Sequence, residues 1–441
     1  MGKEESKYNI WIDSILYNSF TDNAILFENN EIEDVKFCLS NLDSFERNFP
    51  DIFENFLKLG FIKEMNFSEI DYLLFRNRFD TFNGKSYSIT INPTLECNYK
   101  CWYCCVEEQK TIYKKCRMDD FVIEKVKKHI KYMIEVEKIN ELSIDWFGGE
   151  PLMYFYEVVE PISLYAYELC NKNNISFNNH VTTNAFYINS EMINGFNNIN
   201  LNSYQIPIDG DERKHNMVKN NNSIGDYMKI IKTINDICEN VKDARITMRI
   251  NYDKQTLKTI TNVIKDIKIE NRSRIFVDFQ RVWQIDLTRN ELGNNILLLN
   301  TKKRFEEAGF KVTYFAYRRR DYKCCYADSF YHRVINYDGK VFKCAARDYD
   351  EELCIATINE DGSMAFNYNI ISKMFDGSTF ENETCLNCKK LPLCFGPCVQ
   401  KYYETKIGKL TFKCLHDFSE ISLKEYVIDK VNKNINYLLL K

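Results

Sequence analysis

Cys97, Cys101 and Cys104 stand in C-x3-C-x2-C order within the stretch CNYKCWYC, just behind the apolar run SITINPTL. Three thiolates in such a loop can hold three irons of a cubane iron–sulfur cluster and leave the fourth iron without a protein ligand. An open metal position marks a catalytic centre, because structural sites complete their coordination with protein groups. The competing reading is a zinc site that takes Cys105 as its fourth ligand. Adjacent cysteines rarely converge on one tetrahedral ion, so the spacing favours the cluster.

A second concentration of thiols lies further along. It comprises Cys325, the run GKVFKC ending at Cys344, a C-x2-C-x5-C-x3-C block at Cys385, Cys388, Cys394 and Cys398, and Cys414. The chain carries 17 cysteines in 441 residues, and its start, MGKEESKYN, lacks the apolar stretch of a secretory signal. In a reducing compartment that count points to metal or redox ligation more than to disulfides. Cys38, Cys105, Cys116, Cys170 and Cys238 fall outside every pattern and read as buried free thiols. His129, His180 and His332 make no constellation, and the wealth of aromatics, 28 Tyr and 31 Phe, reads as core rather than as a platform for stacked bases.

Charge narrows the partners. Lys plus Arg number 59 against 63 Asp plus Glu, a net charge of −4 that argues against a broad phosphate-binding surface, so no nucleic acid is expected. No apolar run approaches the roughly 18 residues of a membrane span. The expectation is a cytoplasmic protein without a membrane partner.

Elements must bring these residues together. Six β-rich runs, SYSITIN, LSIDWFGG, ISFNNHVTTNA, SYQIPIDG, RITMRINYD and RIFVDFQRV, alternate with helical patterns such as DDFVIEKVKKHIKYMIEV and IGDYMKIIKTINDICEN. That rhythm predicts βα units wound into a parallel sheet, open or barrel-like, with ligands at the carboxyl ends of the strands. Before it, residues 8–31 read as short strands around a polar turn at Thr21 to Asn23, followed by two helical patterns. Beyond about residue 310 the rhythm fails, and a small region held by metal is expected, with one hairpin, HRVINYDGKVFKC, turning on Asp338-Gly339. The Asn-rich patches FNNINLN and KNNNS read as surface loops.

CNYKCWYC, with Tyr103 just before the last cysteine, resembles the cluster motif of the radical S-adenosylmethionine (SAM) superfamily. Later strand ends carry further matches. FGGEP, with Gly148, Gly149, Glu150 and Pro151, resembles the stretch that meets the SAM amino group. TTNA, with Thr183 and Asn184, is similar to the family's TNG, Ala185 replacing the glycine. QIPIDG, with Asp209, is similar to QISIDG, and His215 fits the accompanying DG-x4-H spacing. Arg249, in RIN, resembles the arginine that grips the SAM carboxylate, and Asn251 shares its face of the strand. The resemblance implies a partial (β/α)6 TIM-like barrel over residues 85–310. Its cofactors would be a [4Fe–4S] cluster and SAM, whose reductive cleavage releases a 5′-deoxyadenosyl radical.

The seven later cysteines resemble the SPASM extension of radical SAM peptide-modifying enzymes. By that resemblance residues 311–441 bind one or two auxiliary [4Fe–4S] clusters and end in a helix. Cys385, Cys388, Cys394 and Cys414 would hold one cluster; Cys325, Cys344 and Cys398 would hold the other, with Cys324, Cys354 or an open iron at the fourth corner. Residues 1–84 look like the small α+β, winged-helix-like leader-recognition module of peptide maturases. The function implied is hydrogen abstraction from a ribosomally made precursor peptide to cross-link or oxidise it, with a reductant such as flavodoxin or ferredoxin. Two alternatives stand beside it: an anaerobic sulfatase-maturing enzyme, a branch in which an aspartate stands where Ala345 does here, and a zinc-stabilised peptide-binding adaptor without catalysis.

Overall fold

Each of the six runs alternates large apolar residues with polar ones, and each forms a strand. They are numbered within the whole chain, whose first five strands are β1 (Lys3–Glu5), β2 (Asn9–Ile12), β3 (Ile15–Asn18), β4 (Asn23–Leu26) and β5 (Ile62–Glu64). The six are β6 (Ser86–Ile91), β7 (Glu141–Trp146), β8 (Ser176–Thr182), β9 (Leu201–Pro207), β10 (Arg245–Tyr252) and β11 (Ile275–Arg281). In this computed structural model, which describes residues 2–106, 116–219, 226–282, 295–313, 322–377, 379–411, 414 and 422–433, the chain divides into two units.

The larger unit, residues 83–315 and 330–374, contains the sheet. Strands β6 to β11 lie side by side in chain order, all parallel, and β12 (Lys311–Thr313) extends the far edge. A strand order that follows the chain winds in one sense, which curls the sheet toward a barrel instead of spreading it on both sides of a central strand. Helices such as Asp120–Glu135, Glu160–Lys172 and Asp226–Asn240 make the crossovers.

The alternation decides what each face does. Ile89, Ile144, Trp146, Val181, Ile206, Met248 and Val277 are buried against the helices. The opposite face carries Ser88, Ser143, Asp145, His180, Gln205, Arg249 and Asn251, which are half-buried. A parallel barrel normally fills its centre with branched apolar side chains. Here the inner face is polar, which suits a chamber for a polar ligand.

The hairpin forms as expected, β13 (His332–Ile335) with β14 (Lys340–Phe342), followed by β15 (Ala356–Ile358) and β16 (Met364–Phe366). Its partner was not expected. Instead of standing in a separate cysteine-rich region, β13 pairs in parallel with β6 and continues the barrel sheet. An unpaired β6 edge would leave a row of open N–H and C=O groups, and β13 covers it.

The smaller unit joins residues 1–82 to 316–329 and 375–441. A three-stranded meander, β2-β3-β4, and the pair β1-β5 pack with helices Ile32–Ser40, Leu42–Asn48 and Pro50–Leu59. Phe45, Phe53, Phe56 and Phe61 fill that core, with Phe45 and Phe56 edge to face at 5.3 Å. On the other face, Ile15, Tyr17 and Ala24 bury Leu423 and Val427 of the helix Leu423–Lys433. FNNINLN, read as a loop, holds a helical turn over Asn197–Ile199 and the start of β9, because Phe196, Ile199 and Leu201 are all buried. The patch at 220–223 lies outside the described residues. No described helix is long and apolar enough to cross a membrane.

Candidate active site

The loop that follows β6 carries Cys97, Cys101 and Cys104, and the loop that follows β7 is fastened to it by backbone. Gly149 N donates to Thr94 O (3.0 Å) and Glu150 N to Glu96 O (2.7 Å). The two glycines are required by this approach. A Cβ on Gly148 would lie 2.3 Å from Thr94 O and one on Gly149 1.9 Å from Glu96 O, and Gly148 has φ +107°. Pro151 then opens a helical turn, Pro151–Tyr154, for which Glu150 is the cap.

Glu150 is 1% exposed, and its carboxylate accepts from Leu152 N (3.0 Å), Thr183 Oγ1 (2.7 Å) and Asn184 N (2.8 Å). Burial pushes its pKa up to about 7 against the pull of those donors. The loop after β8 is thereby locked to the loop after β7. Asn184 then reaches the thiol loop, its Nδ2 donating to Asn98 Oδ1 (2.9 Å) and to Cys97 Sγ (3.7 Å). Ala185 sits at φ +63°, the left-handed conformation that the glycine of the related motif adopts without strain.

Asp209, at the end of β9, is 1% exposed and is the hub of the other side. It accepts from the Tyr103 hydroxyl (2.5 Å) and from Asn251 Nδ2 (3.4 Å), and it pairs with Lys219 Nζ at 2.9 Å. Burial alone would raise its pKa, but Lys219 and His215 hold it below the ordinary carboxylate value. Asn251 also donates to the Tyr103 hydroxyl (3.0 Å), and Arg249 Nε donates to Asn251 Oδ1 (3.0 Å). His215 accepts at Nδ1 from Asp209 N (3.3 Å), and burial lowers its pKa to about 3, so it acts as a neutral prop. Lys219 lies within electrostatic reach of Cys101, and Lys100 N donates to Lys219 O (3.2 Å). Tyr103, Asp209, Arg249 and Asn251 thus form one hydrogen-bonded chain leading to the thiol loop.

In the same unit, Cys344 and Cys105 lie within electrostatic reach of each other. Cys354 donates its thiol proton to Ala356 O (3.4 Å). In the smaller unit the cysteines from Cys324 onward fall into two groups. Cys394 stands within electrostatic reach of Cys385, Cys388 and Cys414, and burial pushes its pKa up to about 12. Cys325 and Cys398 stand within electrostatic reach of each other, with Cys324 in reach of Cys398 and Cys394. Asp328 builds the second group, accepting from Cys324 N and Cys325 N (both 2.9 Å) and from Val399 N (2.8 Å).

Backbone N–H groups point at four of these sulfurs from two residues downstream. Tyr99 N lies 3.4 Å from Cys97 Sγ, Ala346 N 3.4 Å from Cys344 Sγ, Lys390 N 3.4 Å from Cys388 Sγ and Gly396 N 3.3 Å from Cys394 Sγ. N–H donors of this kind stabilise thiolates bound to iron and tune cluster potential, so the donor set fits iron–sulfur ligation. Among the described residues no three Cys, His, Asp or Glu groups converge on a point that one ion could occupy. Thiolates that each serve a different iron stand further apart than ligands to a single ion.

Residues 91–267 match the radical SAM superfamily. The chain carries a radical SAM domain. That family's cofactors are a [4Fe–4S] cluster and SAM, as its motifs implied. No curated protein sequence matches this chain significantly. Among solved structures, polyhistidine-tagged anSMEcpe with bound AdoMet is 17% identical, with a TM-score of 0.56 over 80% of this chain and 96% of that one. SuiB of Streptococcus suis bound to its precursor peptide SuiA is 15% identical, with a TM-score of 0.51 over 90% of this chain and 96% of that one. The likeness establishes a shared fold.

Sequence reasoning missed several residues that the radical SAM domain brings to its centre. Lys219 was legible in part: it follows His215 by four positions on the helix Glu212–Lys219 and so shares its face. Asn92 Nδ2 donates to the Tyr349 hydroxyl (2.7 Å), a link between β6 and the segment after Cys344 that has no local signal. His180, read as structural, stands on the inner face in register with Asp145, its Nδ1 2.9 Å from Ser203 Oγ. His129 is structural as expected, lying 2.6 Å from the Tyr87 hydroxyl and 2.7 Å from Gly362 O.

Proposed function

We propose that this radical SAM enzyme modifies a ribosomally made precursor peptide, abstracting hydrogen from a side chain or Cα to cross-link or oxidise it. The observation that carries this reading is the grouping of the later cysteines. Cys385, Cys388, Cys394 and Cys414 gather as one set, and Cys325 with Cys398 as another. This supports SPASM-type auxiliary clusters. Cys324, in reach of Cys398, is a better candidate for the second set's fourth ligand than Cys354, whose thiol is engaged with Ala356 O.

Cys97, Cys101 and Cys104 hold the catalytic cluster in this reading, and the bound cluster and SAM supply the 5′-deoxyadenosyl radical. The chain's own residues position it. Asn184 and Tyr99 N steady Cys97, while Glu150 orders the loops after β7 and β8, the stretch that would meet the SAM amino group. Arg249 would grip the SAM carboxylate, held by the hydrogen-bonded chain through Asn251, Tyr103 and Asp209, and Thr183 and Asn184 would reach the ribose or carboxylate. The polar inner face would hold the peptide side chain and carry polar groups to orient it. Structures in this fold were solved with peptides bound, SuiB with SuiA and anSMEcpe with Cp18Cys, which supports a peptide substrate here. Ala345 follows Cys344 and offers no carboxylate, which counts against the sulfatase-maturing alternative. Flavodoxin or ferredoxin is the expected reductant.

Anaerobic reconstitution tests the chemistry: iron and sulfide uptake, and 5′-deoxyadenosine on addition of dithionite and SAM, are the expected results. Stoichiometric zinc alone would instead support the adaptor. Co-expression with a short reading frame beside the gene, followed by mass spectrometry, tests the substrate class, and an unchanged peptide mass counts against it.

A further inference from the structure

Three polar links sew the N-terminal module to the loop at Cys385–Lys389 within the smaller unit. Lys7 Nζ donates to Leu386 O (3.1 Å), Lys389 Nζ donates to Asn9 O (2.8 Å), and Ser19 Oγ donates to Lys389 O. Tyr8 stands among them, fully buried at 0% exposure. Phe20 stacks on its ring at 6.0 Å and 13°, and Leu73, Leu391 and Phe395 pack around it, with Cys385 and Cys324 at the border of the same cluster. The ring is therefore held in one place.

Its hydroxyl is buried and has no hydrogen-bond partner among the described residues. A buried donor left unpaired costs about 1–3 kcal/mol, so natural cores seldom keep one without an acceptor to meet it. Two acidic side chains lie within its electrostatic reach, Glu69 and Cys388. Glu69 is already engaged, Oε1 by the Ser6 hydroxyl (2.5 Å) and Oε2 by Lys7 N (3.3 Å). Neither Glu69 oxygen meets the Tyr8 hydroxyl, whereas Cys388 belongs to the loop that Lys7, Ser19 and Lys389 tie to the segment around Tyr8.

We propose that, with an iron–sulfur cluster on Cys385, Cys388, Cys394 and Cys414, the Tyr8 hydroxyl donates a hydrogen bond to the Cys388 sulfur or a neighbouring sulfide. Tyr8 is then a positioning residue that tunes the potential of this cluster. The inference rests on the auxiliary-cluster reading above. Reduction adds negative charge to the cluster, and a donor aimed at its sulfurs favours the reduced form. Removing the hydroxyl therefore shifts the midpoint to a more negative potential.

The full chain with Cys97→Ala, Cys101→Ala and Cys104→Ala, reconstituted without oxygen, isolates the auxiliary clusters for redox titration by electron paramagnetic resonance. Adding Tyr8→Phe keeps the ring and is expected to leave iron content unchanged and move one midpoint negative. Adding Tyr17→Phe, whose hydroxyl is committed to Asp22 at 2.8 Å, is expected to move none. If Tyr8→Phe loses iron, 3-fluorotyrosine at position 8 keeps the hydroxyl as a stronger donor and is expected to move the midpoint positive. Full iron with unmoved midpoints overturns the role of Tyr8 alone. A parent that takes up no iron overturns the auxiliary-cluster reading itself.

Discussion

Lys219 and Asp209 form an ion pair whose side chains are 3% and 1% exposed, beside Cys101. Removing one partner of a buried pair leaves an uncompensated charge, so Lys219→Met is expected to lose about 3–5 kcal/mol in urea unfolding. Asp209→Asn added to it should restore part of that loss; equal or greater loss in the double variant would contradict the pairing. Glu150 makes a separate, pH-dependent prediction. Its folded pKa of about 7 lies above its ordinary value of 4.5, so the folded state keeps a proton that the unfolded chain has released in that interval. The contribution is fully present below the unfolded value and is lost as pH rises through about 7, at on the order of 1 kcal/mol per pH unit. Glu150→Gln should flatten the slope of apo-protein stability between about pH 5 and about pH 7. A slope as steep as the parent's would show that another group carries it. Neither group's state was legible from motifs: the sequence places Glu150 after two glycines, while its burial comes from Thr183 and Asn184 on another loop.

At the scale of elements, the glycine pair carries the sharpest consequence. FGGEP resembles the stretch that meets the SAM amino group, and the nearest neighbour of a Cβ on Gly149 is the carbonyl of Glu96, in the loop that presents Cys97. Gly149→Ala must displace that loop by more than 1 Å to restore ordinary contact. The expected result is destabilisation of about 2 kcal/mol or more with reduced iron uptake at the three-cysteine site. Full iron content and an unshifted melting curve would sink it. The six strands were legible because period-two alternation and turn residues are local properties. The partner of the hairpin was not, since nothing in HRVINYDGKVFKC says that β13 will lie along β6.

For the whole molecule, the two units set what a deletion does. Residues 1–82 cover Leu391, Leu393, Phe395, Leu423 and Val427, so removing them exposes the apolar side of the cysteine-rich loops. The shortened chain is expected to lose auxiliary iron while the three-cysteine site still reconstitutes, a distinction that iron analysis with and without Cys97→Ala resolves. Uniform retention of iron would contradict it. By itself the sequence determined the order of strands, the polar motif at each strand end and the spacing of the thiols, because propensity, alternation and ligand spacing are written in neighbouring residues. Only the tertiary structure decided that Lys219 neutralises Asp209, that the glycines serve the thiol loop, and that Tyr8 lies near Cys388. Those facts depend on residues far apart in the chain whose approach is settled by packing, and no local pattern encodes it.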